Sequence, residues 1–215
     1  MSNRSIHTLL KNWDEECPLT REEAVEVLNL PEEEMDSLME CAYALRTKYK
    51  GKKVSVQLLT NVRSGNCTQN CAYCAQSKDS QAEIEKYKRV SDEKLYGDND
   101  LVDEKHLARH CIGLSGIGFS DEEIEDLADR IREMKKKDTQ ICCSIGFLTE
   151  KQARILKDAG LDRINHNLNS SRSFYPEICT THTYDQRVNN IKMLQSLGFE
   201  ICSGGIVGMG ESKED

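Results

Sequence analysis

No stretch of the 215-residue chain approaches eighteen consecutive apolar residues, which a helix needs in order to cross a bilayer. The first residues, MSNRSIHTLLKNWDEE, also lack the long apolar run of a secretory signal. Basic residues form no stripe, and 29 of them stand against 37 acidic residues, which gives a formal net charge of -8. These absences argue against a membrane protein and against a nucleic-acid partner, and they favour the cytoplasm.

Cysteine, in contrast, is plentiful, with ten residues in a chain that shows no export signal. Such cysteines are expected to be reduced thiols or metal ligands and not disulfides. Hydrophobic residues make up 38% and charged residues 31%, as in an ordinary domain with a core. The length suits one compact domain but is short for a complete barrel.

Three of the cysteines form a tight triplet in the segment CTQNCAYC, on a loop that follows a predicted strand. Cys67, Cys71 and Cys74 have the spacing C-x3-C-x2-C. Three thiolates can hold three corners of an iron–sulfur cluster and leave the fourth iron open to a small molecule. Structural zinc usually has four closed ligands, commonly in two C-x2-4-C pairs. The spacing therefore favours an open cluster, with zinc or unrelated thiols as alternatives.

Strands and helices alternate after the cysteine triplet, which predicts parallel strands joined by right-handed crossovers, in a barrel or an open doubly wound sheet. Capping boxes open three of the helices, at Ser120, Thr149 and Thr183. The predicted strands lie at residues 53–60, 111–115, 140–145, 163–168 and 200–207.

Two other regions complete the predicted architecture. Residues 1–50 are predicted to be a helical segment, whose last helix starts near Pro31 and ends at Gly51. Residues 75–110 are polar, and GDND at 97–100 is expected to interrupt any helix there. This second region is predicted to be a solvated loop or a poorly formed helix.

Further cysteines lie outside the triplet. Cys111, Cys142 and Cys202 fall on three different predicted strands, so their thiols could meet inside a barrel and hold a second cluster. The alternative is that they fill a core, where cysteine is common. Cys143 is expected to face away from Cys142 on a regular strand. Cys179, in a loop, could approach the strand ends, although nothing in the sequence fixes it there.

Polar and glycine-rich segments add candidate ligand contacts. Asn165, Asn167 and Asn169 alternate along one predicted strand face, where amides would suit a urea-like or ribose group and would be costly to bury unsatisfied. The segment 204–211, GGIVGMGE, lets the backbone approach a flat ligand such as a purine, although ordinary turns use the same residues. Arg187, one turn into a helix, is expected either to bind a carboxylate or to be solvated.

Taken together, the motifs resemble the biotin synthases, a family of radical S-adenosylmethionine enzymes, over about residues 35–215. The resemblance is carried by CTQNCAYCAQS, GLDRINHNLNSSRSFYPEICTTHTYDQRV and EICSGGIVGMGES. It implies the (β/α)8 TIM-type barrel family, represented by about five parallel strands with N-terminal helices. It also implies two domains, 1–50 and 51–215, and sulfur insertion into dethiobiotin to form biotin.

The resemblance assigns roles to the candidate residues. A 4Fe–4S cluster on the triplet, Cys67, Cys71 and Cys74, would chelate S-adenosylmethionine. Sulfur would come from an auxiliary iron–sulfur cluster, 2Fe–2S or larger, on Cys111, Cys142 and Cys202. Arg187 would bind the methionine carboxylate, and Asn165 and Asn167 would lie near the ureido ring of dethiobiotin. The other cofactor contacts would be Tyr73, Gly204, Gly205 and Gly208 at the adenine, and Asn167 and Asn169 at the ribose.

The resemblance also implies partners, and it leaves alternatives. Family members continue past the equivalent of Asp215, so the chain is expected to be part of an enzyme or to complete its sheet with another copy, as a homodimer. An electron donor such as flavodoxin or ferredoxin is expected. The alternatives are a non-catalytic or truncated iron–sulfur-binding fragment, and a related radical enzyme with another substrate.

Overall fold

The computed structural model describes residues 19–215, so residues 1–18 of the predicted helical segment lie outside the described part. Two compact units divide the chain. The first contains the residues up to Val54 together with Ser212–Glu214, and the second contains Ser55–Glu211 and Asp215. The predicted domain boundaries, 1–50 and 51–215, remain a prediction.

The first unit is helical. It contains α1 (Arg21–Leu28), a 3-10 turn (Glu32–Glu34) and α2 (Met35–Lys50). The predicted helix end at Gly51 is confirmed, since this residue adopts the positive φ of 62° that glycine tolerates best. A small group of half-buried side chains holds the helices together: Leu19, Val27, Leu30, Leu38 and Cys41.

The second unit is built on a sheet of five parallel strands in the order β1-β2-β3-β4-β5, which confirms the predicted parallel α/β architecture. The strands are β1 (Gln57–Arg63), β2 (Arg109–Leu114), β3 (Ile141–Ser144), β4 (Arg163–Asn165) and β5 (Glu200–Cys202). The helices are α3 (Asp92–Glu104), α4 (Asp121–Met134), α5 (Glu150–Asp158), α6 (Tyr175–Ile178) and α7 (Tyr184–Ser196).

The three predicted capping boxes are confirmed. The hydroxyl oxygens of Ser120, Thr149 and Thr183 each accept a hydrogen bond from the backbone three residues on, at the start of α4, α5 and α7. Gly160 and Gly198 follow α5 and α7 with φ angles of 95° and 77°. No helix in residues 19–215 is both long enough and apolar enough to cross a membrane.

The strand register separates the two faces of the sheet. Ile112, Cys143 and Ile164 lie side by side on β2, β3 and β4, and all three are fully buried in the core between the sheet and its helices. The neighbouring row, on the opposite face, contains Leu59 and Cys111, and Leu59 is 68% exposed. Apolar packing therefore covers one face of the sheet, and the other face remains open along β1.

The structure corrects the prediction for residues 75–110, because α3 runs through the GDND segment. Ser91 caps this helix by accepting from Lys94 N. The polar residues are used in tertiary contacts: the Thr60 hydroxyl donates to Asp98 at 2.6 Å, and Asn99 Nδ2 donates to the Met134 carbonyl at 3.1 Å. These partners offset the poor helix propensity of the segment.

Candidate cluster and cofactor site

A cavity of about 230 Å³ lies where the triplet loop meets the carboxyl ends of β2, β3 and β4. Active residues of α/β barrels typically occupy this end of the strands. The cavity wall brings together eight of the predicted site residues: Cys67, Cys71, Tyr73, Cys74, Asn165, Asn167, Asn169 and Arg187. Thiols, amides and a guanidinium that are far apart in sequence thus line one space.

The triplet loop is held in place by a sharp turn. Gly65 and Asn66 both have positive φ, 69° and 53°, immediately before Cys67. The Gly65 amide donates to Gln76 Oε1 at 2.7 Å, and the Ser115 hydroxyl donates to the Gly65 carbonyl at 2.6 Å. The turn therefore directs the loop across the end of β2, where the three thiols reach the cavity.

Cys71 is the most buried of the three thiols, at 8% exposure, and it packs against a second loop. The Ala72 amide donates to the Ile178 carbonyl at 2.9 Å, and the Cys71 and Cys179 sulfurs are 3.8 Å apart. Burial raises the pKa of Cys71. Burial acts the same way on Cys179, but hydrogen bonds from the hydroxyl and the amide of Thr181 outweigh it and lower its pKa.

The asparagine segment differs in form from the predicted strand, although its three amides reach the same cavity. Strand β4 ends at Asn165, and Asn169 has a φ of 69°, so the prediction of a strand through residue 168 is wrong. Asn169 Nδ2 donates to the Tyr73 hydroxyl oxygen at 2.6 Å. The side-chain oxygen of Asn165 is buried and has no hydrogen-bond partner among the described residues. A buried acceptor without a donor is costly, which makes it a candidate ligand contact.

His166, between Asn165 and Asn167, is a buried packing residue. It is 1% exposed, and its ring centroid lies 5.3 Å from that of Phe147. Burial, followed by the nearby charge of Arg187, lowers the pKa of His166 to about 4, so the ring is neutral at pH 7.

Arg187, on the first turn of α7, points into the cavity and not into solvent. Its guanidinium donates to the Asn167 carbonyl at 3.1 Å and to His182 Nε2 at 2.9 Å, and it also donates to the Tyr175 hydroxyl. No carboxylate of residues 19–215 forms a salt bridge with it. A half-buried cation whose partners are all neutral is suited to bind an anionic ligand group.

The glycine segment lies behind the cavity wall. The Asn169 amide donates to the Gly204 carbonyl at 2.9 Å, and a side chain at Gly205 would stand 3.4 Å from the Asn169 carbonyl oxygen. Gly208 has a φ of 95°, and its amide donates to Glu211. Gly204, Gly205 and Gly208 are not among the residues that line the 230 Å³ cavity. Their role at the adenine therefore remains a prediction.

The strand cysteines share the face of the sheet that is open. Cys111 and Cys142 are direct neighbours on β2 and β3. Cys202, on β5, is in register with Asn165 on β4, two residues beyond the row that contains Cys111 and Cys142. Burial, followed by interactions with Cys111, raises the pKa of Cys142 to about 12. Cys143 points to the opposite face and is fully buried in the core. The alternation expected for the Cys142–Cys143 pair thus occurs, and their roles remain a prediction.

Several cavity residues have no motif that would single them out in the sequence. They include Gln69 and His182, whose side chains contact each other at 3.0 Å across a sequence separation of 113 residues. Ser115 and Ser144, at the ends of β2 and β3, also line the wall. Their position at or near the carboxyl ends of predicted strands could have identified these two serines.

The donor set fits an open iron–sulfur cluster with a small-molecule ligand. Three thiols line the wall, which matches three corners of a cluster. Arg187 and the unpartnered Asn165 oxygen offer complementary contacts for an anionic and a hydrogen-bond-donating group. The residues present therefore fit a cluster and an adjacent polar ligand.

Comparisons with known proteins agree with this donor set. The sequence profile of the Radical SAM superfamily matches residues 61–215. The chain is 40% identical to a biotin synthase of Geobacillus kaustophilus over 198 residues, which are 92% of this chain and 60% of that protein. A biotin synthase of Bacillus subtilis is 41% identical, with 92% of this chain and 59% of that protein covered. The chain therefore spans about three fifths of the length of these relatives.

Solved structures share the fold at low sequence identity. A methylornithine synthase superimposes with a TM-score of 0.82 and 17% identity, over 96% of this chain and 60% of that one. The FeFe-hydrogenase maturase of Carboxydothermus hydrogenoformans gives a TM-score of 0.78 and 21% identity, over 91% of this chain and 47% of that one. The chain belongs to the radical S-adenosylmethionine superfamily, whose members hold a 4Fe–4S cluster and S-adenosylmethionine.

Proposed function

We propose that the chain carries the reaction of biotin synthases, the insertion of sulfur into dethiobiotin driven by S-adenosylmethionine. The observation that carries the proposal is the shared cavity, in which the cysteine triplet faces the asparagine segment and Arg187. The 40% identity to biotin synthases over 92% of this chain supports the same reaction.

The cluster and S-adenosylmethionine would occupy adjacent parts of the cavity. Cys67, Cys71 and Cys74 would hold the 4Fe–4S cluster. When bound, the two cofactors supply reductive cleavage of a sulfonium, a chemistry that belongs to the cofactors. The protein's contribution is to position them and to exclude water. The buried state of Cys71 supports a cluster that is shielded on one side by the loop around Cys179.

Arg187 would bind the carboxylate of S-adenosylmethionine. Its neutral partners leave the positive charge uncompensated, and a carboxylate accepts well from a guanidinium. Tyr73 and the backbone of Gly204, Gly205 and Gly208 would flank the adenine. Asn167 and Asn169 would contact the ribose. The hydrogen bond from Asn169 to Tyr73 supports this arrangement, because it links the two proposed nucleoside contacts.

Dethiobiotin would lie deeper along the strands. Its ureido N–H groups are donors, and the buried Asn165 oxygen is an acceptor that lacks a donor. Asn167, on the same cavity wall, would contact the same ring. An interaction with the ureido group would satisfy Asn165, which is the physical reason for placing the substrate there.

An auxiliary iron–sulfur cluster would supply the sulfur. Cys111, Cys142 and Cys202 are its proposed ligands, because they share one face of the sheet. Cys202 is in register with Asn165, so the proposed sulfur source and the proposed ureido contact occupy neighbouring strands of that face. Cys143 points into the core on the opposite face and is therefore not among the proposed ligands.

The proposal extends to partners and location. Reductive chemistry requires a one-electron donor, for which flavodoxin or ferredoxin is proposed. A homodimer is proposed because β1 and β5 each have one free edge within the described sheet, and an open edge favours pairing. The cytoplasm is proposed because ten cysteines that act as ligands or thiols need a reducing compartment.

The experiment is a product assay on anaerobically reconstituted chain, supplied with S-adenosylmethionine, dethiobiotin and a strong reductant. We expect mass spectrometry to detect 5′-deoxyadenosine and biotin together. In Asn165→Ala, biotin should fall more than 5′-deoxyadenosine, because the change removes a substrate contact only. Asn29→Ala, in the first unit, is a matched amide control that should leave both products unchanged.

Each outcome has a defined meaning. Formation of 5′-deoxyadenosine without biotin would contradict sulfur insertion while leaving a radical enzyme with another substrate. Iron binding without either product would identify a non-catalytic cluster-binding chain. Equal biotin yield from the parent and from Asn165→Ala would contradict the proposed contact between Asn165 and dethiobiotin.

A further inference from the structure

The cysteine triplet has a fourth thiol beside it, which the proposed reaction does not use. Cys179 is 3% exposed, and its sulfur lies 3.8 Å from the sulfur of Cys71. The ligand atoms of Cys71, Cys179 and His182 all lie within 4.8 Å of one another. A disulfide requires a separation of about 2.0 Å, so the two sulfurs would have to approach by about 1.8 Å.

The loops that carry the two thiols are joined by hydrogen bonds of the backbone and of the Asn70 side chain. The Ala72 amide donates to the Ile178 carbonyl at 2.9 Å. Asn70 Nδ2 donates to the Thr180 hydroxyl at 2.7 Å, and Asn70 Oδ1 accepts from the Thr180 amide at 3.1 Å. These bonds flank Cys71 on one loop and Cys179 on the other. These contacts hold the two thiols as neighbours.

A metal ion shared by Cys71, Cys179 and His182 is the other chemistry that this grouping suggests. The histidine argues against it. A guanidinium can only donate, so the 2.9 Å contact between Arg187 and His182 Nε2 uses the lone pair of that nitrogen. The proton then lies on Nδ1, which faces Gln69 Oε1 at 3.0 Å and Cys179 at 3.3 Å. The imidazole therefore has no free lone pair for a metal, and the grouping acts as a dithiol.

We propose that Cys71 and Cys179 form a disulfide in the cluster-free chain, and that this bond must be reduced before the cysteine triplet can take up iron. The pairing rests on the geometry of the two loops. Its consequence for iron uptake rests on the proposed function, in which Cys71 is a cluster ligand. A bound cluster would occupy the Cys71 sulfur and prevent the reaction.

The chemistry is a thiol–disulfide exchange with a small disulfide, RSSR. Cys71 lines both the 230 Å³ cavity and a second cavity of about 640 Å³ formed by residues 70–81, and Cys179 lines neither. Cys71 therefore attacks RSSR first, forms a mixed disulfide and releases RSH. Cys179 then attacks the Cys71 sulfur and releases the second RSH. RSSR gains two electrons, the two cysteines lose two, and their protons leave on the two RSH molecules.

The test uses the full cluster-free chain, treated with hydroxyethyl disulfide and then alkylated to trap the remaining thiols. Tryptic digestion should yield residues 64–78 linked to residues 173–187, and fragmentation should assign the link to Cys71. In Cys179→Ser the link should be lost, and Cys71 should retain a mercaptoethanol adduct because its resolving thiol is gone. Cys74→Ser, altered in the same peptide, is the matched control and should keep the link.

The second readout is iron uptake without activity. After the oxidation, the parent chain should take up the iron of the triplet cluster only once a dithiol reductant is added, and prior loading with that cluster should suppress the link. A link that persists in Cys71→Ser, or a parent chain whose two thiols both remain alkylatable, would overturn the proposal. Neither result depends on biotin formation, so failure of the disulfide and failure of the proposed function are distinguishable.

Discussion

Removal of the charge at Arg187 should weaken the binding of S-adenosylmethionine. The guanidinium is half-buried and donates only to neutral groups, on Tyr175, His182 and Asn167. A hydrogen bond to a charged group contributes about 1.5–3 kcal/mol, which corresponds to roughly 10- to 150-fold in Kd. Arg187→Met should weaken binding by that factor. Arg187→Lys should have an intermediate effect, because lysine keeps the charge but loses the planar fork.

The assay is an anaerobic calorimetric titration of the reconstituted chain with S-adenosylmethionine, with iron content and melting temperature measured on the same samples. Arg172→Met is the matched control, because Arg172 is 69% exposed and pairs with Asp185 at 2.8 Å. It should leave Kd unchanged. An iron-loaded, folded Arg187→Met chain that binds as tightly as the parent would refute the carboxylate contact.

Four further predictions concern stability and metal content. Gly146→Ala should destabilise the chain by about 1–3 kcal/mol in urea titrations, because its Cβ would lie 2.4 Å from the Ile117 carbonyl oxygen. Gly97→Ala, with nothing within 4 Å, should instead stabilise α3 by about 0.5–1 kcal/mol. Burial lowers the pKa of His110 to about 4 from 6.5, so the unfolded chain binds a proton that the folded chain excludes. His110 should therefore contribute a fall in the unfolding free energy of up to about 1.4 kcal/mol per pH unit between pH 6.5 and about pH 4, and His110→Gln should remove that share of the slope; a slope equal to that of the parent would contradict the assignment. Cys142→Ser should lose the auxiliary iron in an iron and sulfide count and retain the triplet iron, and an unchanged count would contradict its role as a ligand.

Much of the fold could be predicted because the signals are local. The capping boxes at Ser120, Thr149 and Thr183 each start a helix, and Gly51, Gly160 and Gly198 follow helix ends with positive φ. Predictions from local sequence failed where tertiary contacts determine the secondary structure. Helix α3 continues through Gly97 because Asp98 and Asn99 find partners on β1 and α4, which no window of sequence reveals.

The candidate site also contains features that the sequence reveals and features that only the fold reveals. The triplet is visible because its three thiols lie within eight residues of one another. The pairing of Cys71 with Cys179 is not visible, because 108 positions separate them and only the fold brings the loops together. The strand cysteines are an intermediate case: alternation predicts which face each occupies, but only the register shows that Cys202 lies beside Asn165.

The most direct test of the central claim, that the cluster and S-adenosylmethionine share the cavity around Cys71 and Arg187, is an electron paramagnetic resonance measurement. The reduced, reconstituted chain would be recorded before and after addition of S-adenosylmethionine. We predict that the cluster signal changes on addition, and that Arg187→Met requires a higher ligand concentration for the same change. A reduced cluster whose signal is the same with and without S-adenosylmethionine would contradict the account.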